Sequence, residues 1–179
     1  MTDFTFYTPE NAEGESKAIL EQVQGKYGFV PNLFAYMAEA PYTIEAYTFL
    51  NDLLSKTALS PSQQQVALLA VSHYHNCDFC RVAHQAFGKM SKASQQTLDA
   101  IIQDNEIEDS TDKALVDMII AIVDNRGWVS QEQLQGFFAA GFTKRHVYDL
   151  ILIVTIKTLS NYANHLSKPE ANEQLKAML

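Results

Sequence analysis

From Thr143 to Ser167 the chain runs without a glycine or proline, and it stops just before Pro169. Its β-branched centre, Ile151-Leu152-Ile153-Val154-Thr155-Ile156, could pass for a buried strand on propensity alone. Length and the missing breakers favour a helix running through the middle of the molecule. Any fold for this chain has to be built around that element.

Helix signals recur upstream. From Ser16 to Tyr27, the apolar residues Ile19, Leu20 and Val23 fall at spacings of three and four, with Gly25 and Gly28 at the exit. Pro31-Asn32 opens a short stretch to Ala40. Pro41 opens another that carries Ile44, Tyr47, Leu50, Leu53 and Leu54 on one face. The best-marked start is at Ser60, which can cap a helix with Pro61 at its first position and Gln63 completing a capping box. That helix is predicted to run towards His75, with Asn76 capping a following helix that ends near Gly88 to Met90. Further helices are predicted from Ser94 to Asp104, from Thr111 to Asn125 and from Ser130 to Ala140, the last closed by Gly141. Connections are short and no composition shift marks a boundary, so residues 1–179 are expected to form one all-α domain, a helical bundle.

The 179 residues are 47% hydrophobic and 19% charged, which suits a packed core and excludes a disordered or low-complexity chain. Thirteen basic against 21 acidic side chains give a formal charge of −8, and the densest basic spot is only Lys144-Arg145-His146. Such a field repels phosphate backbones and anionic lipid, so neither nucleic acid nor membrane is an expected partner. Met1 to Pro9 lacks the basic and apolar regions of a secretion signal, and the aliphatic run Leu150 to Val154 is too short to span a bilayer. The expectation is a soluble, cytoplasmic protein.

Both cysteines fall in one motif, Cys77-Asp78-Phe79-Cys80, with His84 four residues on. At about 100° per residue, positions 77, 80 and 84 span an arc of roughly 60°, so the three side chains are expected on one helix face and in one reachable pocket. A helix N-terminus favours the thiolate, which is the reactive form of cysteine. The imidazole can pass a proton. A partner sulfur three residues away can capture a sulfenic acid as a disulfide before it over-oxidises. This combination suits peroxide reduction or thiol–disulfide exchange. The rival reading is a metal site made from Cys77, Cys80, His84 and either His75 or His73. It is disfavoured because no second cysteine pair exists elsewhere in the chain. Covalent haem is excluded, because Arg81 stands where that motif requires histidine.

The segment from Ser60 to His84 resembles the signature of the alkyl hydroperoxidase D (AhpD)-like, carboxymuconolactone decarboxylase superfamily. Gly28-Phe29-Val30-Pro31-Asn32-Leu33-Phe34, Met37-Ala38-Glu39-Ala40-Pro41 and Asn161-Tyr162-Ala163-Asn164-His165 resemble patterns of its peroxidase-related branch. The resemblance implies an AhpD-like all-helical fold, a homotrimer, hexamer or other homo-oligomer, and a disulfide-cycling peroxidase that needs no cofactor and no metal. It implies that Cys80 attacks the peroxide, Cys77 resolves the product and His84 relays the proton. A peroxide substrate and a reductant, either a thiol protein or a small thiol, complete the cycle.

The chain departs from this pattern in two places. The glutamate expected twelve residues before the first cysteine is Gln65, and the occasional histidine between the cysteines is Phe79. An amide can orient His84 but cannot take a proton as a carboxylate does, so His75 and His73 are further candidates for the relay. Asn161, Asn164 and His165 are candidates for a supporting role. Asp124, Arg126 and Trp128 read as an ordinary helix end, and Phe34, Tyr36, Tyr42, Tyr47 and Phe49 as core or subunit interface. Two other functions fit less well: a lyase of the decarboxylase type, which does not call for a disulfide, and a redox-responsive or structural oligomer without turnover, which Gln65 would favour.

Overall fold

The computed structural model describes residues 4–179; residues 1–3 of the expected 1–179 domain lie outside the described part. It contains α1 (Gly14–Tyr27), α2 (Asn32–Met37), α3 (Pro41–Leu54), α4 (Pro61–Tyr74), α5 (Asp78–Met90), α6 (Gln95–Gln103), α7 (Ser110–Asp124), α8 (Gln131–Ala139), α9 (Lys144–Ser167) and α10 (Glu173–Lys176). No strand occurs among the described residues. The fold is all-α, as the periodicity predicts, and none of its described helices is long and apolar enough to cross a membrane.

Helices α4 and α9 run between two apolar clusters. In α4 every residue from Val66 to Ser72 is buried, so this helix is surrounded rather than amphipathic. On one side α4 packs with α6, α7 and α9, and α8 joins through α7, in a cluster that includes Leu69, Leu98, Leu115, Ile119, Phe137 and Ile153. On the other, Leu20, Leu33, Phe34, Ile44 and Leu175 gather around Cys77, Phe79 and Cys80. The sulfurs therefore sit inside a hydrophobic cluster and not on its margin. Helix α9 buries Leu150, Ile153, Ile156, Lys157, Ser160, Asn161 and Asn164, a stripe that starts aliphatic and turns polar as it reaches the cysteines.

Local chemistry fixes the starts. Ser60 Oγ accepts from the Gln63 N–H at 3.2 Å, and Gln63 Oε1 accepts from the Ser60 N–H at 2.9 Å. Ser130 and Gln133 repeat this arrangement before α8. At the α5–α6 approach, a Cβ on Gly88 would come within 3.0 Å of both Leu98 methyls, so only glycine allows this spacing without displacing Leu98.

Some elements differ from expectation. Helix α2 closes at Met37 instead of Ala40. Asn76 does not cap α5: its φ of 54° makes it a left-handed hinge, and Cys77 occupies the N-cap with extended backbone. Helix α10, too short to show periodicity, follows Asn172, whose side chain ties it to Val30 and Asn32 near the start of α2.

Ser60→Ala is expected to cost about 1 kcal/mol through loss of the cap at the head of α4. Urea unfolding should show a lower midpoint with an unchanged slope.

Candidate functional site

Cys80, His84 and Lys157 form the centre of the site. Cys77 and Cys80 are both reduced and 2% and 3% exposed, His84 is 6% exposed, and Lys157, which reaches in from α9, is 0% exposed. His84 Nδ1 lies 3.0 Å from Gln65 Oε1 on α4, and His84 Nε2 lies 2.9 Å from Lys157 Nζ. Because the amide oxygen can only accept, His84 carries its proton on Nδ1 and donates it to Gln65. Nε2 then accepts from the lysine ammonium. Burial, reinforced by the Lys157 charge, holds the imidazole well below its ordinary pKa, so His84 is neutral.

Lys157 has no carboxylate partner among the described ion pairs. A buried ammonium without a counter-ion costs several kcal/mol, and the group that meets it here is a sulfur. Cys80 Sγ accepts a hydrogen bond from Asn164 Nδ2 at 3.2 Å, and the Cys77 thiol and the Lys157 charge both act to lower its pKa. The Cys77 thiol hydrogen bond first, then the Lys157 charge, brings Cys80 down to about 5 against the opposing effect of burial. The Cys77 thiol is pushed far up by the same hydrogen bond and by its own burial. The pair therefore holds one thiolate, on Cys80, and one thiol, on Cys77. Asn164 Nδ2 also reaches Cys77 Sγ at 3.6 Å, so one amide spans both sulfurs.

The sulfurs do not share a pocket, contrary to the helical-wheel expectation. Cys80 and His84 line an apolar cavity of about 380 Å³ walled by Phe34, Tyr47, Phe79, Phe87 and Leu175 among others. Cys77 lines a separate cleft with Asn164, His165 and Lys168. The wheel fails because Cys77, with φ −89° and ψ 97°, stands before the first helical residue and is out of register with α5.

Of the other predicted groups, Gln65 reaches His84. His75 Nδ1 is held by Asn161 Nδ2 at 3.0 Å, and burial, then His165 and Lys157, lower its pKa. His73 pairs with Asp104 at 2.9 Å in a different cleft, beside Tyr74 and Asp117. Neither histidine bonds to a sulfur in this structure. Trp128 is exposed and Arg126 sits in a left-handed turn after α7, as a helix end requires. In the aromatic set, Phe34 and Tyr47 meet edge-on beside the Cys80 cavity, whereas Tyr42 and Phe49 face outwards. Lys157 was not singled out from the sequence. Its signal was a lone lysine closing a β-branched run, two helical turns before Asn164 on the same face.

No protein-family model matches the sequence, and no curated protein is detectably similar to it. Among solved structures, an uncharacterized peroxidase-related protein from Ralstonia eutropha JMP134, described as an alkylhydroperoxidase AhpD core, superposes with a TM-score of 0.81 at 21% identity. The match covers 98% of this chain and 96% of that one. This chain has the AhpD fold. A second similar structure, an uncharacterized peroxidase-related protein from Silicibacter sp. TM1040, gives a TM-score of 0.77 at 19% identity over 98% and 96% of the two chains. A debrominase solved with 2,3,4-tribromopyrrole gives 0.75 at 14% identity over 99% and 96%.

The thiolate is the reactive form, so alkylation of Cys80 by iodoacetamide should be fast at neutral pH and should fall away as pH drops through about 5. Gln65→Glu would add a second anion to the cluster and is expected to move that midpoint upwards. An unmoved midpoint would show that residue 65 does not sense the charge on Cys80.

Proposed function

We propose that this protein is a thiol-dependent peroxidase that cycles a Cys77–Cys80 disulfide. The observation that carries the reading is Cys80 at the wall of an apolar cavity, held with Cys77 by the Asn164 amide, with its pKa lowered by Cys77 and by the Lys157 charge. Cys80 Sγ attacks one oxygen of the peroxide bond, and the other leaves as an alkoxide that takes a proton from the Lys157–His84 pair. The products are an alcohol and a sulfenic acid on Cys80. Cys77 then attacks that sulfur, its proton goes to the departing hydroxyl so that water leaves as the disulfide closes, and the Lys157–His84 pair regains its proton from solvent. His84 keeps Lys157 directed at the sulfur through the 2.9 Å contact, and Gln65 fixes the ring in the tautomer that allows it. No bound cofactor enters the cycle, and two equivalents of thiol restore it.

The same charge arrangement favours turnover over a stored redox switch. Closing the disulfide removes the anion that partners Lys157 and leaves its ammonium buried among neutral groups, so the oxidised form is the electrostatically poorer one. Re-reduction restores the pair. The enzyme is proposed to act as one domain, in the cytoplasm, and as a homo-oligomer. In support of assembly, Tyr148, Ile151, Tyr162 and Leu166 form an exposed apolar stripe along α9.

The aromatic lining of the cavity favours a second electrophile for the same thiolate, a brominated aromatic ring. Attack on bromine would give a sulfenyl bromide, from which Cys77 expels bromide to form the same disulfide, the ring taking up a proton. Both readings share the cysteine chemistry and differ in substrate.

With dithiothreitol supplied, the wild type should consume cumene hydroperoxide catalytically, Cys80→Ser should lose turnover entirely, and Cys77→Ser should stop after one equivalent with a dimedone-reactive sulfenic acid. Turnover by the double variant at the wild-type rate would contradict the proposal. Bromide release from tribromopyrrole without peroxide consumption would transfer the assignment to the second substrate.

A further inference from the structure

The two sulfurs open to different places, and the residue between them is Phe79, which lines both the Cys80 cavity and the Cys77 cleft. The Cys80 side is closed in by aromatic and aliphatic groups. The Cys77 side, a cleft of about 590 Å³, is bordered by the charged or polar side chains of Asp78, His165, Lys168, Glu170 and Lys176. We propose that the oxidising substrate and the reductant use separate entrances: an apolar substrate reaches Cys80 through the cavity, and a slender, low-molecular-weight thiol reaches Cys77 through the cleft with the charged border. The inference rests on the disulfide cycle proposed above and adds where its second half takes place.

Leaving-group chemistry points the same way as the geometry. Disulfide exchange is faster when the expelled sulfur is the more stable thiolate. Attack of a thiolate on Cys77 Sγ breaks the Cys77–Cys80 bond and sends the electron pair to Cys80. There Lys157 and Asn164 receive the thiolate, and a mixed disulfide remains on Cys77. A second thiol, as its thiolate, attacks the small-molecule sulfur of that mixed disulfide. Cys77 leaves, takes up a proton, and the reductant departs as its own disulfide. Attack on Cys80 instead would have to expel Cys77, whose thiol holds its proton more tightly because of its burial and its bond to Cys80. With Cys77 only 2% exposed, a thiol on the surface of a globular partner cannot reach it, whereas one on a narrow stem can.

Two half-reactions test this. Protein oxidised in advance with diamide is re-reduced by glutathione, and separately the reduced protein is oxidised by cumene hydroperoxide. Each is followed by the change in free thiols. Glu170→Trp, an exposed side chain at the mouth of the Cys77 cleft, should slow re-reduction by at least about tenfold and leave oxidation within about twofold. Cumyl alcohol, which fits the apolar cavity, should slow oxidation and leave re-reduction unchanged. Equal slowing of both half-reactions by either treatment would mean a single entrance and overturn the proposal. So would re-reduction that glutathione cannot drive but a thioredoxin-type protein dithiol can. Because diamide forms the disulfide, the re-reduction arm reads out even if peroxide is not the substrate, so its failure is separable from failure of the peroxidase reading.

Discussion

A lysine ammonium sealed inside a helical bundle requires an anion, and the group whose charged form the Lys157 charge favours is the Cys80 sulfur. The rest of the site follows from this pairing. A thiolate beside Lys157 leaves no need for a carboxylate at position 65, and a glutamate there would compete with Cys80 for the same cation. Gln65 instead supplies an acceptor without charge, which fixes His84 with its free lone pair towards the lysine. A neutral imidazole in turn costs little to bury, and it keeps the ammonium directed without adding a second positive charge. The apolar cluster around the cysteines makes the pairing strong, because low polarity raises the penalty for separating the charges.

Position relative to a helix start differentiates two chemically identical residues. Asn76 turns the chain through a left-handed conformation, Cys77 is still extended, and Cys80 is the first of the pair to sit inside the helix. That offset places Cys80 within reach of Lys157 and turns Cys77 towards the outer cleft. The roles proposed for Cys80 and Cys77 would thus follow from the backbone, and one amide, Asn164, reaches both sulfurs.

Much of the fold was legible because its helix starts carry local signals. Ser60 with Gln63, Ser130 with Gln133, and the breaker-free stretch ending at Ser167 each specify their element without help from the rest of the chain. The Cys-x-x-Cys and its histidine were legible for the same reason, being close in sequence. What could not be read was set by distant segments. Lys157 lies 73 residues from His84, and only the packing of α9 against α5 brings them together. The helical wheel misplaced Cys77 because a wheel assumes helical backbone throughout, and the hinge at Asn76 breaks that assumption. His73 and His75 were near in sequence but lie around the end of α4, where Asp104 and Asn161 take them up.

The pairing of Lys157 with Cys80 is tested most directly by Lys157→Met, which keeps the side-chain length and removes the charge. Thiolate absorbance followed against pH should show the midpoint rise clearly above 5, with the Cys77 hydrogen bond and the helical fold intact, the latter by circular dichroism. A midpoint that stays near 5 in the folded variant would mean that the thiolate is held by something other than this lysine.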